Sequence, residues 1–413
     1  MGQSLSLVGT WMTQVATSWL IYRLTGSPWL LGFVGFSGQI PAFFLAPFAG
    51  VWVDRWDRLR ILKVTQTLSM LESFGLAALV LTGHVNVWNV VLLTMFQGVV
   101  NAVDMPARQT FLVEMIGDRA DLSNAIALNS SMVNSARLIG PSIAGVIIGI
   151  AGEGACFLVD AFSYLAVIAS LLMMKMAPAA RKPVKNTWSE LKDGLRYITN
   201  FTPIRSILML LICVSLVGMP YTVLMPLFAS EVLHGGPNTL GILTGAAGLG
   251  ALISAITLAM RKTVVGLGRV IVISAFCFGA GLVLFGLSHW LWLSLPLMLV
   301  TGFSMMQQMS ASNTIMQTIV DESKRGRVMS FYTMAFIGVT PFGSLIAGMA
   351  ASIIGASLTV IIGGVLCMFA ALWFRRKLKE LRAIIRPIYV EMGILPEVAS
   401  GIQTASALQT PPQ

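Results

Sequence analysis

The chain has 413 residues, of which 56% are hydrophobic and only 11% charged, with a formal net charge of +10 and a mean hydropathy of +0.81. A soluble domain carries roughly 25% charged residues, so a water-soluble enzyme with a single anchor is excluded and most of the chain must lie in a bilayer. The positive charge shows none of the basic and aromatic interleaving of a nucleic-acid surface, and no nucleic-acid partner is expected.

A membrane-crossing helix needs ~20 mainly apolar residues, and such stretches recur almost end to end. In the first half they fall near 5–22, 29–53, 61–83, 87–107, 122–150 and 154–175; in the second near 204–230, 237–260, 269–288, 290–315, 327–353 and 357–374. The first span is polar (Ser6, Thr10, Thr13, Gln14, Thr17, Ser18) and has no basic flank before it. It is expected to remain as a span rather than be removed as a signal, and so little chain precedes it that the natural start is expected further upstream. With the loop after span 2 in the cytoplasm, all but Arg23 and Arg137 of the 27 Lys and Arg fall on the inner side. The positive-inside rule then places both termini in the cytoplasm, with basic loops against anionic lipid.

The two halves resemble each other. One offset lays Pro28, Leu31, Gly32 and Arg60 on Pro237, Leu240, Gly241 and Arg269; a slightly smaller one lays Asp118, Gly140, Ala144 and Gly145 on Asp321, Gly343, Ala347 and Gly348. The expected fold is therefore an all-α polytopic membrane protein with twelve helices in two pseudo-symmetric bundles, 1–175 and 204–375. They are joined by a cytoplasmic linker, 176–203, and followed by a tail, 376–413. Within the linker, Trp188, Leu191, Leu195 and Ile198 predict an interfacial helix with a capping-box start at Thr187 and Glu190. Two similar bundles can rock about a midplane cavity, which makes transport the natural use of the repeat.

Gly50-Val-Trp-Val-Asp54-Arg55-Trp-Asp57-Arg58-Leu-Arg60 stands where span 2 leaves the membrane, and Asp104-Met-Pro106-Ala-Arg108 closes span 4. Asn134-Ser-Ala-Arg137-Leu-Ile-Gly140-Pro141-Ser-Ile-Ala-Gly145 follows on span 5, and Arg325-Gly-Arg327 and Arg386-Pro-Ile-Tyr-Val-Glu come later. Together these resemble the major facilitator superfamily, in particular its enterobactin-exporter and macrolide-efflux branch. The resemblance implies a gate motif at Gly50, Asp54, Arg55, Arg58 and Arg60 that latches the cytoplasmic side; Asp104, one turn before Arg108 at the same end of span 4, is placed to join that network or to act as a coupling carboxylate. The resemblance also implies an exporter motif at Gly140, Pro141 and Gly145. Thr94 stands where many drug–proton antiporters carry an arginine, so that arginine's coupling role does not transfer.

Ala136, Gly140 and Ala144 form a small-residue stripe that permits close packing, with Gly241, Gly245 and Gly248 of span 8 as the expected facing surface. Pro141 removes the amide that would bond the carbonyl of Arg137. An ionised side chain at the bilayer centre costs ~2.5–3.5 kcal/mol on insertion scales, so Arg137 should face a partner or an aqueous cavity. Glu72 and Asp160, with Arg137, are the candidates for proton coupling. Gln14, Gln97, Asn101, Tyr221, Gln307 and Gln308 are the candidates for substrate contact.

The four cysteines have no paired spacing, and His84, His234 and His289 sit in separate outer loops, so neither a metal nor a cofactor is expected. No Walker loop or nucleophile–base cluster is present, so the drive should be an ion gradient and the chain no enzyme. The expected function is proton-coupled export of an amphipathic small molecule by a monomer in the inner membrane. An importer, a facilitative carrier and a non-transporting sensor or scaffold are the alternatives.

Overall fold

The computed structural model describes residues 2–116, 121–174, 195–261 and 263–394. The first six helices are α1 (Gly2–Thr25), α2 (Pro28–Arg55), α3 (Arg58–Leu81), α4 (Val87–Glu114), α5 (Leu122–Ala151) and α6 (Glu153–Met173). After a short helical stretch at 195–200 come α7 (Thr202–Val232), α8 (Pro237–Ala259), α9 (Leu267–Leu287) and α10 (Leu291–Ile319). The last two are α11 (Glu322–Thr333, Met334–Gly338 and Thr340–Ile354) and α12 (Ala356–Glu391). Ten of the twelve are long and apolar enough to cross a membrane. The other two, α1 and α10, are of similar length but carry more polar side chains.

Local chemistry sets the starts. Ser27 caps α2 with its hydroxyl 3.5 Å from the Leu30 amide, and Pro28 occupies the first turn, where its missing N–H costs nothing. Asp57 caps α3 by accepting from the amides of Leu59 (2.9 Å) and Arg60 (3.3 Å). Gly152 and Gly355 reverse the chain between α5 and α6 and between α11 and α12 with φ of 77° and 84°, a conformation closed to most side chains and used at equivalent places in the two halves.

Two elements run further than expected. α4 continues through Pro106 to Glu114. α12 does not stop near 374 but reaches Glu391, because Leu378, Leu381, Ile385 and Ile388 keep an apolar stripe that packs beneath the second bundle. The start of the expected interfacial helix lies outside the described residues; its end is helical and sets Tyr197 under the Lys324 ammonium, 4.5 Å from the ring centroid.

In the first bundle α1 packs on α5 and α6, α3 on α4 and α6, and α2 on α4; in the second α9 packs on α10 and α12, α8 on α10, and α7 on α12. The bundles meet along two principal seams, α5 with α8 and α2 with α11. At the first, a Cβ on Gly145 would stand 2.8 Å from the Pro237 carbonyl oxygen and 3.0 Å from the Gly241 Cα. At the second, a Cβ on Gly348 would stand 2.8 Å from both the Pro28 carbonyl oxygen and the Gly32 Cα. Pro28 and Gly32 align with Pro237 and Gly241 in the repeat, and Gly145 with Gly348, so the two seams are one contact made twice about a pseudo-two-fold axis. Both lie toward the end where α2 and α8 begin. There Tyr22 of α1 also donates to Glu231 of α7 across the bundles at 3.4 Å. Only the latter part of α11, from the π turn at Met334 onward, packs on α2; its basic first part packs on α10 within its own bundle.

Gly241→Ala would drive a methyl group to 2.6 Å from the Pro141 carbonyl oxygen, a backbone atom that cannot yield, and is expected to cost about 1–3 kcal/mol. Gly75→Ala meets only the Leu93 methyls at 3.8 Å and should stabilise α3 by about 0.5–1 kcal/mol. Thermal unfolding of the purified protein in detergent checks both, and equal shifts would contradict the seam geometry.

Candidate functional site

Among the described residues, the buried Asp104 and Asp160 of the first bundle belong to separate polar clusters. At the basic end, Asp104 of α4 accepts from Thr65 (2.6 Å) and Gln66 (2.8 Å) of α3 and pairs with Arg108 one turn on (2.8 Å). Arg58, buried at the start of α3, bonds to Glu114 at the end of α4. These contacts tie α3 to α4 where the gate motif was expected. Arg60, by contrast, projects outward and pairs with Asp57 at 3.6 Å. The surroundings of Gly50 and the side chains of Asp54 and Arg55 lie outside the described residues.

Deeper in the bundle, Asp160 of α6 faces α1 and α3. Its Oδ2 accepts from the hydroxyls of Thr13 (2.7 Å) and Ser73 (3.0 Å), while Oδ1 is buried without a partner against Gly9, whose lack of a side chain makes the space. Ser73 also lies 3.4 Å from Oε2 of its neighbour Glu72. Asp160 and Glu72 are therefore brought together about one hydroxyl, which has a single proton to give. Among the described residues no cation pairs with either carboxylate.

Arg137 is placed elsewhere. It lies midway along α5, half-buried, with its guanidinium 5.5 Å from the centroid of the Trp11 ring of α1 and 4.0 Å from the Met305 sulfur of α10 in the other bundle. Gly140 and Pro141 explain the setting. A Cβ at Gly140 would come within 2.7 Å of the Trp11 Cβ, so the glycine lets α1 lie against α5. The carbonyl of Arg137, left without its helical amide by Pro141, abuts Gly248 of α8, and Gly245 admits the Ser142 hydroxyl. Gly241, Gly245 and Gly248 thus face α5 as the sequence indicated.

The substrate-contact candidates divide. Gln14 and Asn101 are exposed. Gln97 donates to Ser69 of α3 (3.0 Å) and to Asn101 (3.2 Å), which turns it into its own bundle. Tyr221 is buried edge-on to Phe278, Gln307 accepts from Ser254 at 2.7 Å, and Gln308 is buried with its amide nitrogen unbonded. Thr94 bonds back to Val90 and packs on Gly38 of α2.

Thr13, Ser73, Thr65, Gln66 and Glu114 were missed by sequence reasoning. Ser73 beside Glu72, and Thr65-Gln66 at helical spacing before Ser69, were the available signals: polar residues inside an apolar span have partners. For Asp104→Asn, loss of the charge that holds Arg108 and Thr65 is expected to lower stability by about 1–3 kcal/mol. Asp57→Asn keeps the helix cap and loses only an exposed pair, so a change within about 0.5 kcal/mol is expected. Denaturation midpoints of the two variants in detergent decide it.

Comparison with known proteins agrees with this architecture. The family model described as "transmembrane secretion effector" matches residues 1–388. The staphyloferrin A transporter of Staphylococcus aureus (strain NCTC 8325 / PS 47) is 25% identical over 379 residues, 91% of this chain and 95% of that protein. The multidrug efflux pump Tap of Mycolicibacterium fortuitum is 24% identical, over 87% of this chain and 92% of its own. Among solved structures, a bacterial homologue of the human lysosomal transporter Spinster, in an inward-facing and unoccupied conformation, superposes with a TM-score of 0.67 at 15% identity, covering 90% of this chain and 93% of that one. With a family match over nearly its whole length and helices long and apolar enough to cross a bilayer many times, the chain is a multi-pass membrane transporter, not an enzyme, and belongs to the transmembrane secretion effector family of the major facilitator superfamily.

Proposed function

We propose that this transporter is a proton-driven exporter that carries an amphipathic small molecule outward by alternating access between its two bundles. The observation that carries the reading is the Asp160, Ser73 and Glu72 group: two carboxylates inside an apolar bundle, sharing one hydroxyl and paired with no cation among the described residues. A proton taken up or given up by this pair changes how α1, α3 and α6 are tied together. Thr13 of α1 and Ser73 of α3 face Asp160 as neutral hydroxyl donors. Relatives named as a siderophore transporter and a drug efflux pump support the substrate class.

The distribution of Lys and Arg supports an orientation with the α2–α3 loop and both termini in the cytoplasm. The glycine seams then close the outer side, so the conformation is inward-facing, ready to load from the cytoplasm. Asp104, Arg108, Arg58 and Glu114 are the fixed half of a cytoplasmic gate, completed by Asp54 in the outward-facing state. The exposed Gln14 and the Gln307 side chain contribute to the substrate wall, lipids surround a monomeric carrier, and the linker at 176–203 tethers the two bundles.

In proteoliposomes with an imposed pH gradient, substrate is expected to move opposite to protons; movement with them would overturn export. Glu72→Gln and Asp160→Asn should each reduce gradient-driven flux by at least roughly 10-fold while sparing exchange without a gradient. Full coupled flux in both variants would overturn the coupling role of the pair.

A further inference from the structure

Arg137 is the charged side chain that the proton-coupling group leaves unused. A guanidinium carries five N–H donors in a planar fork matched to a carboxylate, sulfonate or phosphate. What surrounds it here is an aromatic face, a thioether sulfur and the electrostatic reach of the Tyr221 phenol, none of them an anion under ordinary conditions. No ion pair joins it among the described residues. Asp160 and Glu72 are occupied with each other and with Thr13 and Ser73 inside the first bundle.

The position is as informative as the missing counter-ion. Arg137 lies midway along a helix that spans the membrane, where an unneutralised cation is costly. It is nonetheless only half-buried, and it reaches from α5 to Met305 of the opposite bundle. Its surroundings are built rather than incidental: Gly140 admits Trp11 beside it, and Pro141 with Gly248 fixes the backbone that presents it.

We infer that Arg137, Trp11 and Met305 form a subsite between the bundles for the acidic group and adjoining flat apolar part of an organic anion, which makes the cargo an amphipathic acid rather than a lipophilic cation. The fork takes the acid oxygens, the Trp11 face takes the neighbouring ring, and the flexible Met305 adjusts to its shape. The contact to Trp11 stays within one bundle whereas that to Met305 crosses between them, so an acid bound here touches both moving bodies. This assignment rests on the transport reading for its meaning as a cargo site, but its chemistry is tested separately.

The test uses the full chain and a matched pair of probes, N-dansyl-leucine and its methyl ester, which differ in one negative charge. Binding is read by energy transfer from tryptophan in detergent and in phosphatidylcholine nanodiscs, with empty particles subtracted. The acid should bind more tightly than the ester, and Arg137→Gln should weaken the acid by roughly 30-fold while leaving the ester unchanged. Arg137→Lys, which keeps the charge but not the fork, should fall between.

The comparison of acid with ester in the unsubstituted protein needs no variant to fold. Acid bound no better than ester, or not bound at all, overturns the inference, as does an acid preference that survives Arg137→Gln. Acid binding confined to phospholipid-free detergent would assign the guanidinium to lipid headgroups and overturn it too. Acid selectivity without any gradient-driven flux would sink the exporter reading and leave the subsite standing; proton-driven flux with no acid preference would do the reverse.

Discussion

Backbone meets backbone where the two bundles join, because Gly145 and Gly348 carry no side chain to hold α8 and α2 away. In lipid there is no hydrophobic drive for helices to associate, since the tails are as apolar as leucine, and close packing has to supply the attraction. A single methyl group at either position would push the bundles apart. The pseudo-two-fold arrangement follows from this constraint: a duplicated glycine and proline pattern yields the same contact twice, and the placement of every other element is referred to those two seams.

The duplication is geometric and not chemical. Asp160 aligns near Ile361 and Arg137 near Thr340, so the buried charge has no counterpart in the second half. The first bundle holds its carboxylates in fixed hydrogen bonds across α1, α3 and α6. The second departs from regular helix instead, with π turns at Val214–Gly218 and Phe228–Val232 in α7 and at Met334–Gly338 in α11. Prolines explain the setting of these turns: Pro220, Pro226 and Pro341 lie close to them, and each lacks the amide that a regular helix would use.

The all-helical membrane fold and the glycine faces of α5 and α8 were legible in the sequence, because length, apolarity and the spacing of small residues are what a bilayer selects. Helix rotation was not. A span is apolar on its lipid face and on its packed face alike, so no amphipathic stripe tells which way Asp160 or Gln97 points. Hence Glu72 and Asp160 could be picked out separately but not joined through Ser73, and Gln97 could be singled out without its bond to Ser69. The reach of α12 to Glu391 was missed for the opposite reason: past Phe374 the helix is amphipathic, and a search for unbroken apolarity ends where that pattern begins.

The glycine seams also bear on how such a molecule moves. Interlocked large side chains would have to be withdrawn from one another before two bundles could tilt, and that would raise the barrier. At the glycine positions the contact is close but has little to disengage, and further along the α2–α11 seam Phe36 and Phe43 meet Phe342 edge-on, so opening there has to part three rings. Few polar links lie across it: Tyr22 to Glu231 at one end is long, at 3.4 Å, and Arg137 to Met305 in the middle is weak, at 4.0 Å. Among the described residues, the short hydrogen bonds named above lie within bundles and these two longer contacts lie between them. That partition suits two rigid bodies whose relative position is decided by small terms such as a proton on a carboxylate or an anion beside Arg137.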